Sequence, residues 1–440
     1  MLIVDGECEI CKSYPFTEIS FFRYIQLKFS ELNFTMATTL VVDDAVFQQH
    51  IPMSSIPETP GRTLAISQAL HKEFDNDDRI TWHSTPFMHT NVNLEDVHTK
   101  EYVTQVKQKT ALVEKTGIVT TLSNDDDVPF GPGSYEAAMS AVAAVLDATK
   151  IVLDTTRPEI RAFCNVRPPG HHAAPHKAQG FCIFNNIAFG VNAALYNPNV
   201  SRVAIIDWDL HHGNGTQKIF WDNPDVMYFS LHPRFASIFP RTGRPYPADK
   251  GDHDNIRNYN LNPNQPADQQ ARSVFDKLML PKLRSFNPDI VFISCGFDGH
   301  KLDPMQSLDY TASTYKWMTE EVVKFANEHC GGRIVSVLEG GYNDRALRES
   351  SVAHVKALID GEAPAMANSD PIVTVSKPPT KTPIVVPAPT PANTPTEEPV
   401  DLEHVAELSN ESENASNNDN IDVDSTSIEL SDSDTGSTSE

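Results

Sequence analysis

Residues 202–217 read RVAIIDWDLHHGNGTQ: four consecutive aliphatic side chains, then Asp207, Asp209, His211 and His212, then a glycine-rich turn. A strand with one face in water alternates apolar and polar residues, whereas this run is apolar on both faces until it turns abruptly polar at its end. Such a strand is covered by helices on both sides, which points to a mostly parallel α/β sheet. Ligand sites in these sheets gather at the carboxyl ends of the strands, where this polar cluster stands. Residues two apart share a face of an extended chain, so Asp207, Asp209 and His211 line one side. Carboxylates with imidazole are donors suited to zinc.

The same pattern recurs on either side of this stretch. Runs 38–44, 79–84, 161–166, 226–232, 289–298 and 333–341 read as further strands, most of them continuously apolar. Helical patterns cover 134–149, 185–196, 267–286, 311–329 and 346–359, with Ser134 as the expected N-cap after Gly133. Three more strands end in chemistry. DIVFISCGFDGHKLDPM (289–305) delivers Asp298, His300 and Asp303; RIVSVLEGGYND (333–344) ends in Glu339, two glycines and Tyr342; and NVRPPGHHAAP (165–175) places His171 and His172 after a strand and a turn. Singly, each has an ordinary reading: paired histidines as surface or core residues, D-x-D as a cap, Asp303-Pro304 as a turn. Together, at matching strand ends, they point to a site.

Composition narrows the class. The 440 residues carry a net charge of −24, with Lys and Arg outnumbered and forming no dense run, which argues against direct nucleic-acid binding. No run of about 18–20 apolar residues suggests a membrane span. Six scattered cysteines do not resemble a secreted disulfide framework, so a reducing compartment, cytoplasmic or nuclear, is expected. The lone Cys8-x-x-Cys11 pair is read as incidental. Residues 1–35 are acidic where a targeting peptide would be basic and are read as a poorly ordered extension. A catalytic domain is expected over 36–362. Beyond it lie a proline-rich linker (363–400) and an acidic disordered tail (401–440); ten of the 32 prolines fall within 361–400. IDVDS and IELSDSD in the tail could add a strand to a partner such as SUMO.

The motifs RPPGHHA (167–173), GFCIFNN (180–186), DWDLHHGNGTQ (207–217), SLH (230–232), GFDGHKLDP (296–304) and LEGGYN (338–343) resemble those of the zinc-dependent histone deacetylase superfamily, class II and bacterial-like branch. The resemblance runs in order from about residue 40 to 360. It implies the arginase/deacetylase fold, one α/β domain around a mostly parallel eight-stranded sheet. It implies Asp209, His211 and Asp303 as zinc ligands, and a structural potassium near Asp207, Asp209, His211, Ser230 and Leu231. By similarity His172 is the general base, His171 its electrostatic partner oriented by Asp207, and Asn214 the partner of His172 where some relatives carry Asp. Tyr342 would donate to the substrate carbonyl. Phe181 and Phe239 would wall a tunnel for the lysine stem beside Gly180, Asp127 would hold substrate backbone, and Met305 would sit at the gate. Two departures stand out: Ile56 replaces a histidine in IPETPGR (56–62), and Arg241 stands where glycine is usual.

The expected activity is removal of acetyl, or longer acyl, groups from lysines of histone or non-histone proteins. An acetylpolyamine amidohydrolase is the enzymatic alternative. A non-catalytic scaffold that binds acyl-lysine is the alternative of another class.

Overall fold

The computed structural model describes residues 38–51, 56–84, 92–122, 127–233, 238–305 and 307–361. The expectations for residues 1–35, for Cys8 and Cys11, and for the linker and tail lie outside these residues.

Among the described residues ten strands run in chain order: β1 (Thr38–Val42), β2 (Ile80–His83), β3 (Thr120–Thr121), β4 (Pro129–Phe130), β5 (Glu159–Cys164), β6 (Val203–Asp207), β7 (Val226–Pro233), β8 (Ile256–Leu261), β9 (Ile290–Cys295) and β10 (Ile334–Leu338). Eight of them form one sheet in the order β2-β1-β5-β10-β9-β6-β7-β8. Every neighbouring pair in it is parallel. Strands β3 and β4 make a small antiparallel pair apart from it. Alternate residues of a strand enter two different apolar clusters. Ile205, Phe292 and Val335 pack into one, while Ala204, Ile206, Val291, Ile293 and Ile334 pack into the other. Both faces of the sheet are therefore buried, as the unbroken apolar runs require, and each fully buried aliphatic side chain contributes about 1.5–3 kcal/mol.

The first cluster is covered by helices that include Ser134–Leu153 and Asn186–Tyr196, the second by Gly61–Phe74, Ala312–His329 and Asp344–Asp360. Two local expectations are corrected. Ser134 is the first helical residue and not the cap; Gly133 occupies that position with φ +78°, and the Ser134 hydroxyl accepts from Gly131 N–H and pairs with His50. Strand β8 has no apolar run, since IRNYNL alternates with polar residues at the sheet edge. There Asn258 and Asn260 donate side-chain hydrogen bonds to Arg244 and Gly243 carbonyls.

The order of the strands decides where chemistry can sit. The segments carrying His171–His172, Tyr342, Asp298–Asp303 and Asp207–Asn214 follow β5, β10, β9 and β6, which are four adjacent strands at the centre of the sheet. Parallel pairing puts all four carboxyl ends on one edge.

Candidate active site

At that edge Asp207 closes β6 in register with Ser294 of β9 and Ser230 of β7. Two residues on, Asp209 turns inward. The ligand atoms of Asp209, His211 and Asp298, all buried, lie within 4.8 Å of one another. His211 Nδ1 is 2.9 Å from Asp298 Oδ2 and 3.2 Å from Asp209 Oδ1. The crowding requires glycine opposite: a Cβ on Gly340 would lie 2.2 Å from Asp298 Oδ2, and one on Gly296 would lie 2.0 Å from Asp209 Oδ2.

Asp303, expected as the third ligand, is not in this cluster. Its Oδ1 accepts from Met305 N–H (3.0 Å) and its Oδ2 from Tyr342 N–H (2.7 Å), so both oxygens face backbone. The physical reason is distance along the chain. Asp298 lies three residues beyond the end of β9, close to Asp209, whereas Asp303 lies eight beyond, on the far side of a turn closed by Asp303 N–H to His300 O. His300 stays in that turn, accepting from Leu302 N–H.

Asp207, Asp209, Asp298 and Glu339 are four fully buried carboxylates. Buried anions require compensating positive charge. Two carboxylates and one imidazole converging on a point, with further acids behind them, fit a divalent metal ion. The imidazoles supply part of the balance. Burial alone would lower the His171 pKa, but Asp209, Asp207 and Glu339 outweigh it and raise the group to about 10.

The adjacent histidines differ. His171 Nδ1 lies 3.1 Å from Asp207 Oδ2, whose other hydrogen bond comes from the Tyr228 hydroxyl, and His171 Nε2 lies 3.7 Å from Asp209 Oδ1. Both of its nitrogens face carboxylates. His172 Nδ1 lies 2.8 Å from Asn214 Oδ1, and Asn214 Nδ2 donates to Gln179 Oε1 at 3.0 Å. With the amide so oriented, His172 Nδ1 carries the proton and Nε2 keeps its lone pair. Burial, followed by the charges of His171 and His211, holds His172 far below the usual imidazole range, against the opposing charge of Asp209 and the Asn214 bond. The two rings lie 4.0 Å apart. Glu339 fixes this segment by accepting from Gly170 and His171 N–H at 2.7 and 3.0 Å.

Tyr342 is half-buried, with its ring 6.0 Å from Phe181 and the Arg62 guanidinium 5.0 Å from its centroid. Burial pushes its hydroxyl well above the usual phenol range, so it is a donor. Arg62 also grips the carbonyls of Glu339 and Gly341 and pairs with Glu58, so the segment 56–62 is tied to the site despite Ile56. Phe239 packs edge-on against His172 at 5.0 Å. The two phenylalanines thus meet different members of the site. Gly180, with φ +55°, leaves room beside His172 and Phe239: a Cβ there would lie 2.5 Å from the His172 ring and 2.7 Å from Phe239. Asp127 holds this corner. Its Oδ2 accepts from Gly180 N–H and its carbonyl from Phe181 N–H, which fixes Phe181 at φ +66°. Arg241 also adopts a left-handed conformation, φ +61°, of the kind glycine takes without strain. Met305 is half-buried against the second apolar cluster.

The sequence pattern marked Asp298 and Glu339 without giving either a role, and it marked the segment IPETPGR (56–62) for Ile56 and not for Arg62. The nearness of Asp298 and Glu339 to strand ends was the available signal.

A parallel eight-stranded sheet whose central strand ends converge on a buried Asp-His-Asp cluster beside paired histidines defines an α/β deacetylase-type hydrolase. Residues 56–358 match the histone deacetylase domain, and the chain belongs to that family. It is 32% identical over 300 residues to histone deacetylase 14, chloroplastic, of Arabidopsis thaliana, covering 66% of this chain and 68% of that one. It is 37% identical over 236 residues to a histone deacetylase-like amidohydrolase of Pseudomonas aeruginosa, covering 53% and 60%. The crystal structure of the HDA15 HD domain superposes with a TM-score of 0.66 at 31% identity, covering 76% of this chain and 92% of that one.

Proposed function

We propose that this chain is a zinc-dependent amidohydrolase that removes acetyl groups from lysine side chains of proteins, histone or non-histone. The observation that carries the reading is the division between the two histidines, one flanked by carboxylates on both nitrogens and the other by a neutral amide on one. Asp209, His211 and Asp298 would hold the metal, which when bound supplies a Lewis acid that polarises the amide carbonyl and acidifies water. His172 Nε2, which meets no hydrogen-bond partner among the described residues, takes the proton from the attacking water and returns it to the departing amine as the C–N bond breaks. His171, held by Asp207, keeps positive charge beside the developing oxyanion. Tyr342 donates its hydroxyl to that oxygen. Phe181, Phe239 and Gly180 suit an unbranched four-carbon stem, and Asp127 and Met305 border the entrance.

A structural potassium near Asp207, Asp209, His211, Ser230 and Leu231 belongs to the same reading. Among the described residues no helix is long and apolar enough to cross a membrane, and a cytoplasmic or nuclear protein is proposed. The test is turnover of acetyl-lysine peptides and of acetylspermidine by purified protein, with and without a zinc chelator, alongside His172→Ala. Chelator-sensitive peptide turnover that falls on the order of 10²–10⁴-fold in the variant, the usual weight of a general acid–base, supports the reading. Full turnover by the variant or in excess chelator overturns it.

A further inference from the structure

Tyr342 follows two glycines, and Gly341 has φ +119°, so the main chain before it has little stiffness of its own. The segment is held from outside. Gly340 N–H donates to Asp209 Oδ2, Phe297 N–H donates to the Gly340 carbonyl, and Arg62 takes the carbonyls of Glu339 and Gly341. These bonds stop one residue short of Tyr342. The Tyr342 N–H is taken by Asp303 Oδ2 at 2.7 Å, while Asp303 Oδ1 is fastened to Met305 N–H at 3.0 Å and the side chain is fully buried.

We propose that Asp303 is a positioning residue that sets Tyr342, its carboxylate bridging the backbone N–H groups of Met305 and Tyr342 and thereby fixing the reach of the phenol hydroxyl. The proposal rests on Tyr342 being the donor to the substrate carbonyl. A displacement of about 1 Å at a reacting group can cost on the order of 10²-fold in rate, so a bridge of this kind has a measurable effect. It also joins the gate to the chemistry, because the loop ending at Met305 cannot shift without moving the acceptor of Tyr342. A metal ligand at 303 would leave Tyr342 N–H without this partner; the two roles compete for the same oxygen.

The experiment is a double-mutant cycle on the full chain with Asp303→Asn, Tyr342→Phe and the pair, reading kcat, KM and bound zinc per chain with an acetyl-lysine peptide. Asn keeps one acceptor and loses the other. Asp303→Asn is expected to retain one zinc and an unchanged KM and to lose kcat on the order of 10-fold, a loss that vanishes in the Tyr342→Phe background because both changes act on one group. Loss of zinc makes Asp303 a ligand and overturns the proposal. Equal losses in both backgrounds, or no loss in either, overturn it as well. Wild-type turnover by Tyr342→Phe alone instead overturns the reading of Tyr342 on which it stands. Asp303→Glu, which keeps the charge and displaces the oxygens, is carried through the same cycle and decides the matter by the same criteria if the amide variant does not fold.

Discussion

Asp298 Oδ2 stands 2.9 Å from His211 Nδ1, and this contact between the segments that follow β9 and β6 closes the metal-type cluster. Asp298 also accepts from Leu210 N–H at 2.8 Å, so the carboxylate is aimed before any ion arrives.

Asp298→Ala is therefore expected to abolish both metal binding and turnover. Three protein ligands already leave a catalytic site one position short of closed, and two do not retain zinc. Elemental analysis of the purified variant checks this, with circular dichroism to confirm that it folds. Stoichiometric zinc in Asp298→Ala would remove the residue from the ligand set.

How much of this was legible beforehand follows from what each residue answers to. The central strands were readable because burial on both faces leaves no polar position in β6 or β9 until the last residues. Strand β8 was not, because an edge strand needs only one paired neighbour and tolerates Arg257, Asn258 and Asn260. His171, His172, Asp207 and Asn214 come together as expected, since each follows directly on a strand or turn that fixes it. Asp303 lies apart from the Asp209-His211-Asp298 cluster because a spacing says how far along the chain an acid lies, not where the turn between His300 and Asp303 sends it. Glu339 and Arg62 act on backbone groups, and such partners leave no side-chain pattern in a sequence.

The Asn214 amide can be tested through pH. A carboxylate in its place would stabilise the protonated form of His172, so a higher pH would be needed to generate the free base. Asn214→Asp is expected to move the acid limb of the kcat/KM profile upward by about 1 unit or more, the effect of an opposite charge in contact. A limb that stays in place would mean that another group controls it.

His354 makes a prediction far from catalysis. It is fully buried beneath the sheet, 2.7 Å from Thr319 Oγ1 and 2.9 Å from Ser336 Oγ, and burial lowers its pKa to about 3. The unfolded chain, with an ordinary imidazole near 6.5, binds the proton more readily. Its contribution to stability is complete above about pH 6.5 and is lost as pH falls toward 3, amounting to about 2 kcal/mol at pH 5. His354→Gln should therefore narrow the gap in urea unfolding free energy between pH 7.5 and pH 5 by about that amount. An unchanged gap would show that His354 titrates freely in the fold.

Substitution of Met305 tests protein substrates against polyamines. The residue is half-buried, packed against the apolar cluster, and its N–H is pinned by Asp303, so a substitution there changes the side chain on a held backbone. A thioether gives an apolar rim that accepts peptide backbone and varied neighbours, whereas a carboxylate would attract the second ammonium of a polyamine and repel acidic sequences. Met305→Glu is expected to raise the preference for acetylspermidine over acetyl-lysine peptide by a factor on the order of 10, equivalent to about 1.4 kcal/mol of differential transition-state binding. The comparison uses kcat/KM for both substrates at low and high salt, because a half-exposed charge is screened and the preference should shrink as salt rises. If the wild type already prefers acetylspermidine and Met305→Glu leaves the ratio unchanged, residue 305 does not read the substrate, and the polyamine activity takes precedence over the protein one.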